Sequence, residues 1–154
     1  MPEKAFVLDA NLLVLLVVGL ASPEHIAIHK RLGEYSKVDF DLLTQLLADA
    51  SRIVVTPNTL TEAVNLSAHI AEPVRSRILL VFRDWLERTQ EIYVESARAM
   101  QHPAYSRLGL TDCVLLETAA QDLTIITADV GLYVEAGRQG RQAINFNHYR
   151  ENIL

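Results

Sequence analysis

The stretch Ala5-Phe6-Val7-Leu8-Asp9-Ala10-Asn11, running into the apolar segment Leu12 to Leu20, sets the frame for the whole chain. Four apolar residues in succession read as a short strand buried on both faces, the habit of a parallel sheet. Asp9 and Asn11 then fall where that strand ends and a helix begins. A carboxylate at the carboxyl end of a buried strand is how open α/β sheets build ligand sites. The segment Leu12 to Leu20 is apolar on all sides, which predicts a helix packed deep in the fold.

Downstream, the same alternation repeats. Arg52 to Thr56 reads as a second strand, Ile92 to Val94 as a third, Leu123 to Thr127 as a fourth and Ala143 to Phe146 as a fifth. Between them, helices are expected from about Glu24 to Tyr35, from Asp39 or Asp41 along the stripe Leu42, Leu43, Leu46 and Leu47, and from Pro57. Pro73 opens a further helix, with Val74, Ile78, Val81, Phe82, Trp85 and Leu86 at helical spacing as core or a dimer face. Another helix begins near Asp112, and a short one runs to about Ala136. Strands alternating with helices predict an α/β protein, a three-layer α/β/α sandwich around a central parallel five-stranded sheet. With 154 residues, half of them hydrophobic, and no repeat or linker, a single domain is expected over 1–154.

The formal net charge of −5 argues against a generally basic nucleic-acid binder, so any such contact has to be local. Cys113 is the only cysteine, which excludes an intrachain disulfide and fits a reducing, cytoplasmic setting. The longest apolar run is too short to span a bilayer. Glu3 beside Lys4, and Asp9 and Asn11 within the segment, argue against a signal peptide.

Four acids each stand beside a structural punctuation mark: Asp9 after strand one, Glu62 in the helix after strand two, Asp112 at a helix start and Asp129 after strand four. Carboxyl ends of parallel strands share one edge of the sheet with the starts of the following helices, so all four can converge. Two carboxylates about 4 Å apart repel by roughly 4 kcal/mol at an effective dielectric of 20. Either a proton is taken up or a cation neutralises the group. An all-oxygen set favours Mg2+ or Mn2+, which suits phosphate chemistry. Taken singly, Asp112 and Asp129 are explained as helix caps, and Glu62 as a solvated helix residue. Asp9 resists such a reading, because an unpaired carboxylate costs several kcal/mol on burial, roughly.

Val-Leu-Asp9-Ala-Asn, Leu-Thr-Glu62-Ala-Val-Asn, Leu-Thr-Asp112-Cys and Ile-Thr-Ala-Asp129, taken in order, resemble the acidic quartet of the PIN-domain family, over essentially the whole chain. That resemblance implies a metal-dependent endoribonuclease, often a VapC-like toxin of a toxin–antitoxin pair, in which the acids bind Mg2+ or Mn2+ and water is activated against an RNA phosphodiester. Carried onto this chain, Asp9, Asp112 and Asp129 would be the principal metal ligands and Glu62 a further ligand or water-positioning group. Asn11 and Thr127 would orient ligands or water, with Asn65 a weaker candidate for the same task. The resemblance also implies a homodimer, and an exposed apolar groove for an antitoxin segment would be consistent with the high hydrophobic fraction. Two departures stand out: Ala10 where many members carry Ser or Thr, and Val130-Gly131-Leu132 where many carry a further acid.

Arg138, Arg141 and Arg150 follow Asp129 in sequence and are candidates for holding RNA phosphates, with a solvated basic surface as the alternative. Tyr133 and Tyr149 are the nearby aromatic candidates. His25 and His29, four apart on an expected helix, lack a third ligand and are read as exposed polar residues. His102 and His148 are assigned nothing, and Cys113 reads as a small buried residue. A PIN-like module with weakened catalysis, acting by partner or RNA binding, is the second reading. A phosphotransfer enzyme using Asp9 as nucleophile ranks third, because Asn11 stands where a second Asp is wanted.

Overall fold

A computed structural model describes residues 3–120 and 122–151. It contains a five-stranded, all-parallel sheet in the order β3-β2-β1-β4-β5. The strands are β1 (Ala5–Leu8), β2 (Arg52–Val55), β3 (Gln90–Glu91), β4 (Thr124–Thr127) and β5 (Ala143–Asn145). The helices are α1 (Ala10–Ala21), α2 (Lys37–Ala48), α3 (Pro57–Ser67), α4 (Val74–Leu86), α5 (Ser96–Ala99), α6 (Tyr105–Leu108), α7 (Leu110–Ala119), α8 (Val130–Arg138) and α9 (Phe146–Glu151). The α/β class and the parallel five-stranded sheet are therefore as the sequence predicts.

β1 is central. Val7 lies beside Val54 of β2 on one side and Ile125 of β4 on the other. Alternate residues of its apolar run serve opposite layers. Phe6 and Leu8 pack, with Ile126, under α1 to α4, whereas Ala5 and Val7 pack with Leu115, Leu116, Leu132 and Ala136 of α7 and α8. Helices on both faces explain why the strand is apolar without alternation. Residues Leu12 to Gly19 of α1 are all buried, which accounts for a helix with no polar stripe.

Three expectations need correction. Glu24 to Tyr35 is not a helix: a 3-10 turn at Pro23–His25 is followed by a chain of turns. Its buried apolar residues, Ile26, Leu32 and Tyr35, do not form one helical face, and the backbone closes in short turns instead, the Leu32 N–H on the His29 carbonyl (3.0 Å) and the Tyr35 N–H on the Leu32 carbonyl (2.9 Å). The His29 ring accepts the Arg31 N–H at Nδ1 (3.1 Å), which leaves the proton on Nε2 to be donated to the Ser67 carbonyl (3.0 Å). His29 is thus buried, not exposed. Third, the edge strand is Gln90–Glu91, not Ile92 to Val94; an edge strand presents one side to water and needs no apolar run. Ile92 follows it, its N–H donating to the Val55 carbonyl (2.9 Å).

The chain order matters for function. β1, β2 and β3 progress in one direction, and β4 then returns to the other flank of β1. The carboxyl ends of β1 and β4 therefore form the crevice where an open parallel sheet reverses its winding, the usual place for a ligand. Asp9 and Asp129 follow those two strand ends.

Candidate functional site

Asp9 is the residue between β1 and α1, and its carboxylate caps the helix it precedes. Oδ1 accepts the Leu12 N–H (3.0 Å); Oδ2 accepts the Ala128 N–H (3.1 Å) and the Thr127 hydroxyl. The side chain is buried, and burial pushes its pKa up; these three hydrogen bonds oppose the shift, and the Asp129 charge adds to it. No cation of the protein relieves it among the described residues.

Thr127 links the two strand ends. Its buried hydroxyl donates to Asp9 and accepts the Asp129 N–H (2.9 Å). A β-branched residue in the last strand position suits both the sheet and this bridge. Asp129 then caps α8, Oδ1 accepting the Leu132 N–H (3.0 Å), while its side chain is exposed. Gly131 keeps room for that carboxylate: a Cβ there would lie 3.2 Å from Asp129 Oδ1 and 3.3 Å from Leu108 Cδ2.

Asp112 sits in the first turn of α7, behind Gly109, whose φ of 87° is a conformation that only glycine adopts without strain. The Asp112 carboxyl is pushed up to about 7, first by burial, then by the charges of Asp129, Asp9 and Glu62. Its neighbours are thus the other three acids, and no hydrogen bond contributes to the shift. Glu62 is exposed on α3, where Pro57, Asn58, Thr61, Asn65 and Thr111 join it in an open groove of about 520 Å3.

The structure therefore brings Asp9, Glu62, Asp112 and Asp129 to one edge of the sheet, with Thr127 between two of them and Asn65 beside the third. Asn11 lies exposed in the first turn of α1 at the same edge. The donors are all hard oxygens, the chemistry that Mg2+ or Mn2+ prefers. They are loosely gathered, however: no group of three or more His, Cys, Asp or Glu among the described residues is close enough to enclose an ion. Glu62 and Asp129 are the exposed members of the set, and Asp129 Oδ1 is held by the Leu132 N–H.

The arginines are placed differently. Arg138 ends α8, a helix length of about 13 Å from Asp129, and pairs with Glu135 (3.5 Å). Arg141 lies in the turn that enters β5 at the opposite edge of the sheet, its backbone N–H on the Ala136 carbonyl. The structure does not bring either of them to the acids. Arg150 lies at the acidic edge on α9, but its guanidinium is engaged with Asp39, the Glu34 carbonyl and Asn147. Tyr133 meets His148 edge-to-face, ring centroids 5.7 Å apart.

Two neighbours of the site escape a reading of sequence alone. Tyr35, buried, has its hydroxyl pKa raised by burial and then by the charges of Glu34 and Asp9. Asn147 donates to the Ala128 carbonyl (3.3 Å), at the link that carries Asp129. Neither is marked by a local motif; only the return of α9 across the end of the sheet brings Asn147 there. Comparison with known proteins adds no constraint, since no protein-family model and no curated protein matches this sequence.

Proposed function

We propose that the protein is a Mg2+- or Mn2+-dependent endoribonuclease of PIN-like type. The observation that carries this reading is the gathering of Asp112 with Asp9, Asp129 and Glu62 at the strand-end crevice, where among the described residues no protein cation forms an ion pair with any of the four. Such a set is relieved by a divalent ion, with Asp9, Asp112 and Asp129 as its ligands and Glu62 as a further one. When bound, the ion supplies polarisation of a phosphoryl oxygen and a lowered pKa for water.

The chain's own groups do the rest. Thr127 and the N–H groups of Leu12 and Ala128 fix the Asp9 carboxylate in one orientation. Asn58, Thr61, Asn65 and Thr111 give the groove beside Glu62 neutral hydrogen-bonding groups, which suit a polyanion better than further acids. RNA as substrate rests on the resemblance of the acidic quartet to the PIN family. So do the toxin role, the homodimer, an antitoxin partner and a cytoplasmic setting. The apolar groove of about 460 Å3 between α3 and α4, lined by Leu60, Val64, Leu79, Phe82 and Leu86, supports a protein partner. No described helix is long and apolar enough to cross a membrane.

The second reading, a module that binds RNA or a partner without cleaving, is favoured by the loose gathering of the acids. One experiment separates the two. A pool of structured RNAs is incubated with the protein in Mg2+, in Mn2+ and in EDTA, alongside folded Asp9→Asn. Metal-dependent cleavage that vanishes in the variant is expected. Silence of the wild-type protein under both ions moves the binding module ahead.

A further inference from the structure

Arg150 has four directed hydrogen bonds within the protein. Nε donates to Asp39 Oδ1 (2.9 Å), Nη2 to Asp39 Oδ2 (3.4 Å) and to the Glu34 carbonyl (2.7 Å), and Nη1 to Asn147 Oδ1 (3.1 Å). A guanidinium has five N–H groups, so one remains for anything else. Its plane also lies over the Tyr35 ring, 4.7 Å from the centroid. Such a group is poorly placed to hold an RNA phosphate.

The anchors of this guanidinium are themselves fixed. Asp39 stands in the first turn of α2, where Oδ2 accepts the Ser36 N–H (2.9 Å). Arg150 and Asp39 side chains are only 25% and 12% exposed, so the fork is largely shielded from water. On its other side Asn147 is held twice, by the Arg150 donor on its Oδ1 and by its own N–H on Asn145 Oδ1 (3.0 Å). The Asn147 amide is thereby aimed at the Ala128 carbonyl (3.3 Å). Ala128 donates its N–H to Asp9, and the next residue is Asp129.

We infer that Arg150 is a positioning residue for the acidic edge: anchored on Asp39, it holds Asn147 against Ala128 and so fixes the link that carries Asp129 and orients Asp9. This assignment rests on the proposed nuclease reading for its purpose, but its geometry can be tested without metal or RNA. The chain of contacts joins residues more than a hundred positions apart, from α2 through α9 to the end of β4. Two helices thus brace the Ala128 carbonyl from one side, while Asp9 holds the Ala128 N–H from the other.

The test uses amide hydrogen exchange of the metal-free protein. The Ala128 and Asp129 amides report on the link through their bonds to Asp9 and Thr127, and the Ile125 amide, bonded to the Gln142 carbonyl, is the control. In Asn147→Ala and Arg150→Ala, exchange at 128 and 129 should accelerate by about tenfold with Ile125 unchanged. Arg150→Lys should not restore it, because an ammonium lacks the fork. Mn2+ titration by electron paramagnetic resonance should show binding weakened by a similar factor. Wild-type exchange rates at 128 and 129 in both alanine variants would overturn the inference and leave Arg150 a clamp of α9 alone. If Arg150→Ala does not fold, Asn147→Ala decides, since it leaves the Asp39 pair in place. If the wild-type protein takes up no Mn2+, the nuclease reading fails, and the exchange rates still decide whether Arg150 positions the link.

Discussion

Asp9 and Asp39 are both aspartates, 7% and 8% exposed, near the same edge of the sheet, yet they are treated oppositely. Asp39 receives the Arg150 fork and a backbone N–H. Asp9 receives hydrogen bonds from neutral groups only, and the charged groups around it are Asp112 and Asp129. A third buried acid, Glu135, follows the pattern of Asp39: Gln139 and the guanidiniums of Arg107 and Arg138 hold its pKa down. This fold can supply arginines to buried carboxylates and does so twice. At the β1/β4 crevice it supplies more acid instead. A carboxylate kept out of water without a countercharge costs stability, and the divalent ion proposed above would offset that cost.

The comparison can be broken most severely at Asp39. Arg150→Met should lower stability by about 2–4 kcal/mol, because it strands a mostly buried carboxylate. Urea unfolding at neutral pH measures this. A loss under about 0.5 kcal/mol would mean the pair is as weak as a surface one.

At the acidic crevice the sign reverses. Asp112 binds a proton more tightly folded than unfolded, where its pKa is the ordinary carboxylate value near about 3.9. Between that value and about 7 the folded state therefore holds more protons, and stability falls as pH rises through this window. Asp112→Asn should remove the penalty and make the metal-free protein more stable than wild type at pH 8. Allowing for solvent screening at a half-buried site, the gain should be about 1–2 kcal/mol. The two proteins should converge near pH 4, and thermal melts across that range check it.

The smallest effect is expected where a carboxylate already lies in water. Lys4 and Asp49 are 4.0 Å apart with side chains 58% and 78% exposed. Lys4→Ala should change stability by less than about 0.5 kcal/mol, since water already solvates the acid. A larger loss would show that charge pairing in this protein does not follow burial.

Much of this arrangement is legible in the sequence because it is local. An apolar run ending in Asp9 or Asp129 announces both the strand and the acid at its end, and parallel topology then collects the acids. What is not legible is non-local. The Glu24 to Tyr35 segment reads as a helix, but His29 finds Ser67 across 38 residues, and that pairing suits turns. Arg150 reads as a basic tail residue because Asp39, its partner, is 111 positions away. Gly131 looks like a missing acid in sequence; in the structure a Cβ there would press on Asp129 Oδ1 at 3.2 Å.

The most direct measurement is the titration of the Asp112 carboxyl by carbon-13 NMR, in EDTA and then in saturating Mg2+. The expected midpoint is about 7 without metal, falling into or below the ordinary carboxylate range when Mg2+ is added, as the ion takes the place of the proton. An ordinary midpoint in EDTA, unmoved by Mg2+, would contradict the convergence of the four acids on a cation site.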